Sequence, residues 1–126
     1  MTPPPPSVIS KSATVTTSAT CAASIAHDST FFWFCSGFEI TCGGATAGSI
    51  QTATVTGLLG GTLNYTVAVP GGVTQGAYPL VIDFPTALPS VDTATDIVVS
   101  MPAAGSGNTG ASVVVHGYKG AKQLTA

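Results

Sequence analysis

The chain contains no arginine and only three lysines in 126 residues, and charged residues of both signs make up 6% of it, against roughly 25% in an ordinary soluble domain. At a net charge of -2 it holds nothing that would neutralise a run of phosphates, which excludes nucleic acid as a partner. So little charge removes the repulsion that keeps solitary proteins apart, and much of the surface is expected to be covered by partners. Long apolar runs are missing too. The densest, residues 31–34, falls far short of the ~20 residues a membrane helix needs, so no membrane partner is expected. Cysteine is sparse and odd in number, with Cys21, Cys35 and Cys42 in no C-x-x-C spacing. The opening MTPPPPSVISKS lacks the basic-then-apolar layout of a secretory signal. Synthesis in a reducing cytoplasm is therefore expected, with three free, buried thiols rather than a Cys35–Cys42 disulfide.

What the chain does have is alternation. In residues 49–70 the odd positions Ala53, Val55, Leu59, Leu63, Tyr65, Val67 and Val69 are apolar, while threonines dominate the even ones. Period 2 on both sides of Gly60-Gly61 predicts a β-hairpin with a glycine turn and an apolar face that the rest of the chain must cover. Residues 8–25 are β-prone and form one long strand or two short ones. The run FFWFCSGFEITC, residues 31–42, predicts an aromatic strand with Phe32, Phe34, Phe38, Ile40 and Cys42 facing the core. Trp33, Cys35, Glu39 and Thr41 then share the opposite face, where Trp33 either lies under a loop or anchors a protein contact.

Residues 79–84 predict a short strand, which Pro85 and Pro89 end because proline cannot donate to a central ladder. Two further strands are expected over residues 95–101 and 111–118. Seven to eight short strands without helical periodicity predict an all-β fold, a jelly-roll-like or immunoglobulin-like β-sandwich. The sandwich is expected over residues 13–119 as one domain, preceded by a proline-rich arm, residues 1–12, and followed by a tail, residues 120–126. Pro3, Pro4, Pro5 and Pro6 fix a polyproline II rod in that arm, either laid across a neighbour or solvated.

Candidate chemistry is thin. Residues 105–110, GSGNTG, match G-x-G-x-x-G, but the dinucleotide mechanism needs a helix to follow, and ASVVVHGY reads as a strand, so a hairpin loop is expected. His27 and His116 stand in no H-x-H or H-x-x-x-H pair and no nucleophile signature, so no catalytic residue, metal or cofactor is expected. Asp92 and Asp96 precede a strand, where they cap it or meet a stray cation. The N-x-T sequence at Asn64 lies mid-strand and is read as coincidence.

The order of the punctuation carries a resemblance. Residues 37–40 (GFEI), 44–49 (GATAGS), 55–65 (VTGLLGGTLNY), Val69-Pro70, residues 79–81 and 88–90, residues 95–100, 105–109 and His116-Gly117-Tyr118 together resemble a family of small β-sandwich virion proteins of tailed bacteriophages. The resemblance spans about residues 37–118. It implies a capsid decoration, or cement, protein on the virion surface, with the major capsid protein and further copies of itself, as homotrimer or homodimer, for partners. A tail, collar or head-fibre component is the nearest alternative. A module that binds carbohydrate on a host surface is another, with an exposed aromatic cluster of Trp33 and Tyr78 or Tyr118. Pro3 to Pro6 and Trp33, which are not part of the resembling pattern, are the candidate contact residues.

Overall fold

The computed structural model describes residues 8–16, 18–42, 47–69, 79–106 and 110–121. The tetraproline Pro3–Pro6, the glycine loop at 43–46, the loop at 73–78 with Tyr78, and the centre of the 105–110 loop lie outside the described residues. Among the described residues there are eight strands: β1 Val8–Val15, β2 Cys21–Ile25, β3 Phe31–Cys42, β4 Ser49–Thr56, β5 Leu63–Val69, β6 Leu80–Pro89, β7 Ile97–Met101 and β8 Ala111–Ala121. They form two antiparallel four-stranded sheets, ordered β1-β8-β3-β6 and β2-β7-β4-β5. The all-β sandwich expected from the alternation is what the chain forms. Residues 8–12, expected in the arm, belong to β1, and β8 runs to Ala121.

The core lies between the sheets, filled by Phe38, Ile40, Val113 and Val115 from one and Ile25, Val55, Ile97, Val99 and Met101 from the other. Burial alternates strictly along β2, β7, β4 and β5, as period 2 requires of a sheet with one covered face. β4 and β5 pair from Ser49↔Val69 to Val55↔Leu63. Their connection is longer than a two-glycine turn and is tied down elsewhere. Leu59 N–H donates to Pro89 O (2.9 Å), Val91 N–H donates to Gly57 O (2.8 Å), and Leu58 bridges Ser90. That tether buries Leu58 and leaves Leu59, expected on the core side, 61% exposed.

The aromatic strand departs most from expectation. Along β3 the buried side chains are Trp33 and Cys35, then, past the buried Gly37, Phe38, Ile40 and Cys42. The inward set changes from odd to even because the register with both neighbours shifts between Cys35 and Gly37. One extra residue, Ser36, is a β-bulge, and with a side-chain period of 2 it exchanges the two faces. Trp33 is thus in the core at 7% exposure, not on the outer face, and Phe32 and Phe34 face outward, half-buried. Trp33 cannot serve as an exposed anchor in this fold. Ser90 holds its backbone, donating N–H to Trp33 O (2.7 Å) and accepting from Trp33 N–H through Oγ (3.3 Å).

β6 also runs through the prolines expected to end it. It is a sheet edge, and its ladder to β3 is interrupted between Asp83↔Gly37 and Leu88↔Cys35, so Pro85 falls where no ladder bond is asked of it. The 105–110 loop joins β7 to β8, which lie in different sheets, so it is a crossing between layers rather than a hairpin.

All three cysteines are free and buried. Cys35 and Cys42 occupy one strand seven residues apart, about 23 Å at ~3.3 Å per residue, well past disulfide reach. Burial pushes each thiol pKa up, and the thiol rather than thiolate form is unreactive. Native protein is expected to resist iodoacetamide at neutral pH and to take up three equivalents in denaturant; rapid native labelling, read by mass spectrometry, would contradict the buried placement.

Candidate functional site

Charge is distributed unevenly between the layers. Lys11, Lys119, Glu39 and Asp83 lie one to each strand of the β1-β8-β3-β6 sheet, and no strand of the β2-β7-β4-β5 sheet carries a charged residue. The outer face of that uncharged sheet presents Ala22, Ser24, Thr52, Asn64, Thr66 and Ala68 to solvent, with Ile50 at 73% exposure among them. Ile50 is the large apolar side chain left exposed among the described residues of that face, as Val8 and Val81 are on the charged sheet, and it stands there among uncharged neighbours.

The charged sheet gathers the polar chemistry. Register places Ser10 opposite His116, His116 opposite Gly37, and Gly37 opposite Asp83, one row across all four strands. His116 Nδ1 is 2.7 Å from Ser10 Oγ, and its Nε2 is 2.5 Å from Glu39 Oε2. The imidazole is a bridge from an edge hydroxyl to a carboxylate on β3, with both side chains of the pair about one-third exposed. A hydroxyl, an imidazole and a carboxylate in line is the arrangement that activates a serine nucleophile. Catalysis also needs donors aimed at a developing oxyanion and a concave seat for substrate; among the described residues the row stands on the outward, partly exposed face of its sheet. Beside it, Phe34 and Tyr118 stack across the strands, rings 12° from parallel and centroids 5.4 Å apart, with Phe34 lying over Gly120. Tyr118 lies in β8, within the strand expected over residues 111–118, rather than in a loop cluster with Trp33.

The remaining titratable groups close one end of the sandwich. Lys119 Nζ sits 5.7 Å from the Trp33 ring centroid and 5.5 Å from that of Phe31, and 3.4 Å from Asp28 Oδ2. The cation covers the edge of the core through its attraction to the ring faces. Trp33 Nε1, beneath it, is buried without a hydrogen-bond partner. Asp28 Oδ1 accepts from Thr30 N–H and Phe31 N–H, Asp92 accepts from Ala94 N–H, and Asp96 Oδ1 accepts from His27 N–H (2.9 Å) and lies 2.7 Å from its Nδ1. Asp92 and Asp96 therefore serve as caps. Among the described residues no group of three or more His, Cys, Asp or Glu side chains is placed to hold a metal.

These backbone hydrogen bonds lower the pKa of Asp28, Asp92 and Asp96, with Lys119 assisting at Asp28 and His27 at the other two. A carboxyl whose folded pKa lies below its unfolded one stabilises the fold above the unfolded pKa, and that contribution disappears as pH falls through the folded pKa. Stability is expected to hold down to about pH 4 and to decline below it. Asp96→Asn should flatten the decline in urea unfolding measured at stepped pH, and an unchanged slope would contradict the assignment.

The serine–histidine–glutamate bridge was not legible in the sequence, because it joins β1, β8 and β3 and depends on their order and register. Comparison with protein-family models, curated proteins and solved structures finds no match to this chain.

Proposed function

We propose that the chain is a non-catalytic structural subunit that binds a protein lattice, and that the lattice is the outer surface of a tailed-phage capsid, as the sequence resemblance implies. One observation carries the reading: a whole sheet without a charged residue, its outer face bearing Ile50 at 73% exposure. Faces that stay in water carry charge, whereas the centres of protein contacts are depleted of it. The mechanism is mass action. A subunit that binds the assembled shell and not its free components stabilises the shell by about 2.7 kcal/mol per site at a hundred times its Kd. Shells lacking the protein, from the phage whose genome encodes it, should withstand higher temperature or more denaturant once it is added. Unchanged resistance at saturating protein would defeat the reading.

A second reading rests on the other sheet. The Phe34–Tyr118 stack beside the Ser10–His116–Glu39 row joins apolar ring surface to directed polar groups, the combination a host-surface carbohydrate requires. Binding on a glycan array that Tyr118→Ala abolishes would favour it, and absence of binding by wild type would remove it.

A further inference from the structure

Four strands end the two sheets: β1 and β6 in the charged sheet, β2 and β5 in the uncharged one. A sheet edge is a row of backbone donors and acceptors open to another strand, and proteins that remain single defend it with charge, proline, bulges or short length. Three edges here are defended. β1 carries exposed Lys11, β6 carries Asp83, Pro85, Pro89 and an interrupted ladder, and β2 is five residues long. β5 has none of these devices: LNYTVAV holds no charge and no proline, and its register with β4 is unbroken from Leu63 to Val69.

A second observation marks the same side. Leu63 and Tyr65 point toward the core yet stay half-buried, as do Leu80, Ile82 and Phe84 on β6. Phe38 touches both Tyr65 and Phe84, so these residues form one apolar seam along the β5–β6 side of the sandwich.

We propose that β5 pairs antiparallel with β5 of a second copy about a two-fold axis through Thr66, joining two uncharged sheets into one of eight strands. The sequence of β5 is suited to itself. In that register Leu63 meets Val69, Asn64 meets Ala68, Tyr65 meets Val67 and Thr66 meets Thr66, so inward residues meet inward ones and no like charges oppose. The second copy's Val67 and Val69 extend cover over the exposed parts of Tyr65 and Leu63. The inference deepens the assembly reading by naming a self-contact, and its test contains no capsid, so either can fail alone.

The test is sedimentation velocity of the full chain at micromolar concentrations, with circular dichroism to confirm folding. Wild type should sediment as a dimer. Thr66→Lys sets two ammonium groups face to face at the axis on an exposed position and should weaken the dimer at least about tenfold. Thr66→Glu alone should do the same, and an equimolar mixture of the two variants should restore the dimer. Ala22→Lys, exposed on β2, should leave it intact. A monomeric wild type, a Thr66→Lys protein as dimeric as wild type, or a mixture that stays monomeric would overturn the proposal.

Discussion

Gly37→Ala is expected to destabilise the protein by about 3 kcal/mol, the upper range for a substitution that overfills a site. A Cβ at Gly37 would lie closer than 3.0 Å to the carbonyl oxygen of Ile82, which is backbone and has no rotamer to yield. Relief requires β6 to move away from β3 or the bulge to migrate, and migration would carry Trp33 and Cys35 or Phe38 and Ile40 out of the core. Gly60→Ala is the control. A Cβ there meets nothing within 4 Å, so the change should be neutral or stabilising by up to about 1 kcal/mol. Urea unfolding of both variants measures the difference, and a Gly37→Ala midpoint equal to wild type would mean that the two strands do not approach as described.

Phe38→Ala is expected to cost about 3–5 kcal/mol, whereas Phe34→Ala should cost no more than about 1 kcal/mol. Phe38 is 1% exposed and packs edge-on against Tyr65 at 5.3 Å and tilted against Phe84 at 6.2 Å, so its loss opens a cavity at the centre of the interior. Phe34 lies beyond the bulge on the outer face and stacks on Tyr118, a cross-strand pair with one side in water. Simple alternation along residues 31–42 places both phenylalanines in the core and makes the two losses equal. Comparable destabilisation by chemical denaturation would therefore restore the unbulged strand.

Legibility in the sequence followed how local the cause was. Alternation in β4 and β5 was readable because each residue's face depends only on its neighbours in the chain. β3 carried one local clue, a glycine inside an apolar strand run, which marks a bulge or a close backbone approach and here marks both. Read as an ordinary position, Gly37 lets the alternation pass unbroken and turns Trp33 to the wrong face. The prolines of β6 misled because their meaning depends on whether a strand is central or at an edge, which is a property of the sheet. The His116 bridge and the uncharged sheet both depend on strand order: the absence of charge is in the sequence, but its confinement to β2, β4, β5 and β7 becomes a surface only once those four lie side by side.

The most direct test of the uncharged sheet as an assembly surface is co-sedimentation with decoration-free shells of wild type, Ile50→Glu and Thr41→Glu, both substitutions at exposed outward positions on opposite sheets. Wild type and Thr41→Glu should pellet alike, with Ile50→Glu left in the supernatant. Equal pelleting of all three, or loss confined to Thr41→Glu, would contradict the assignment of that sheet.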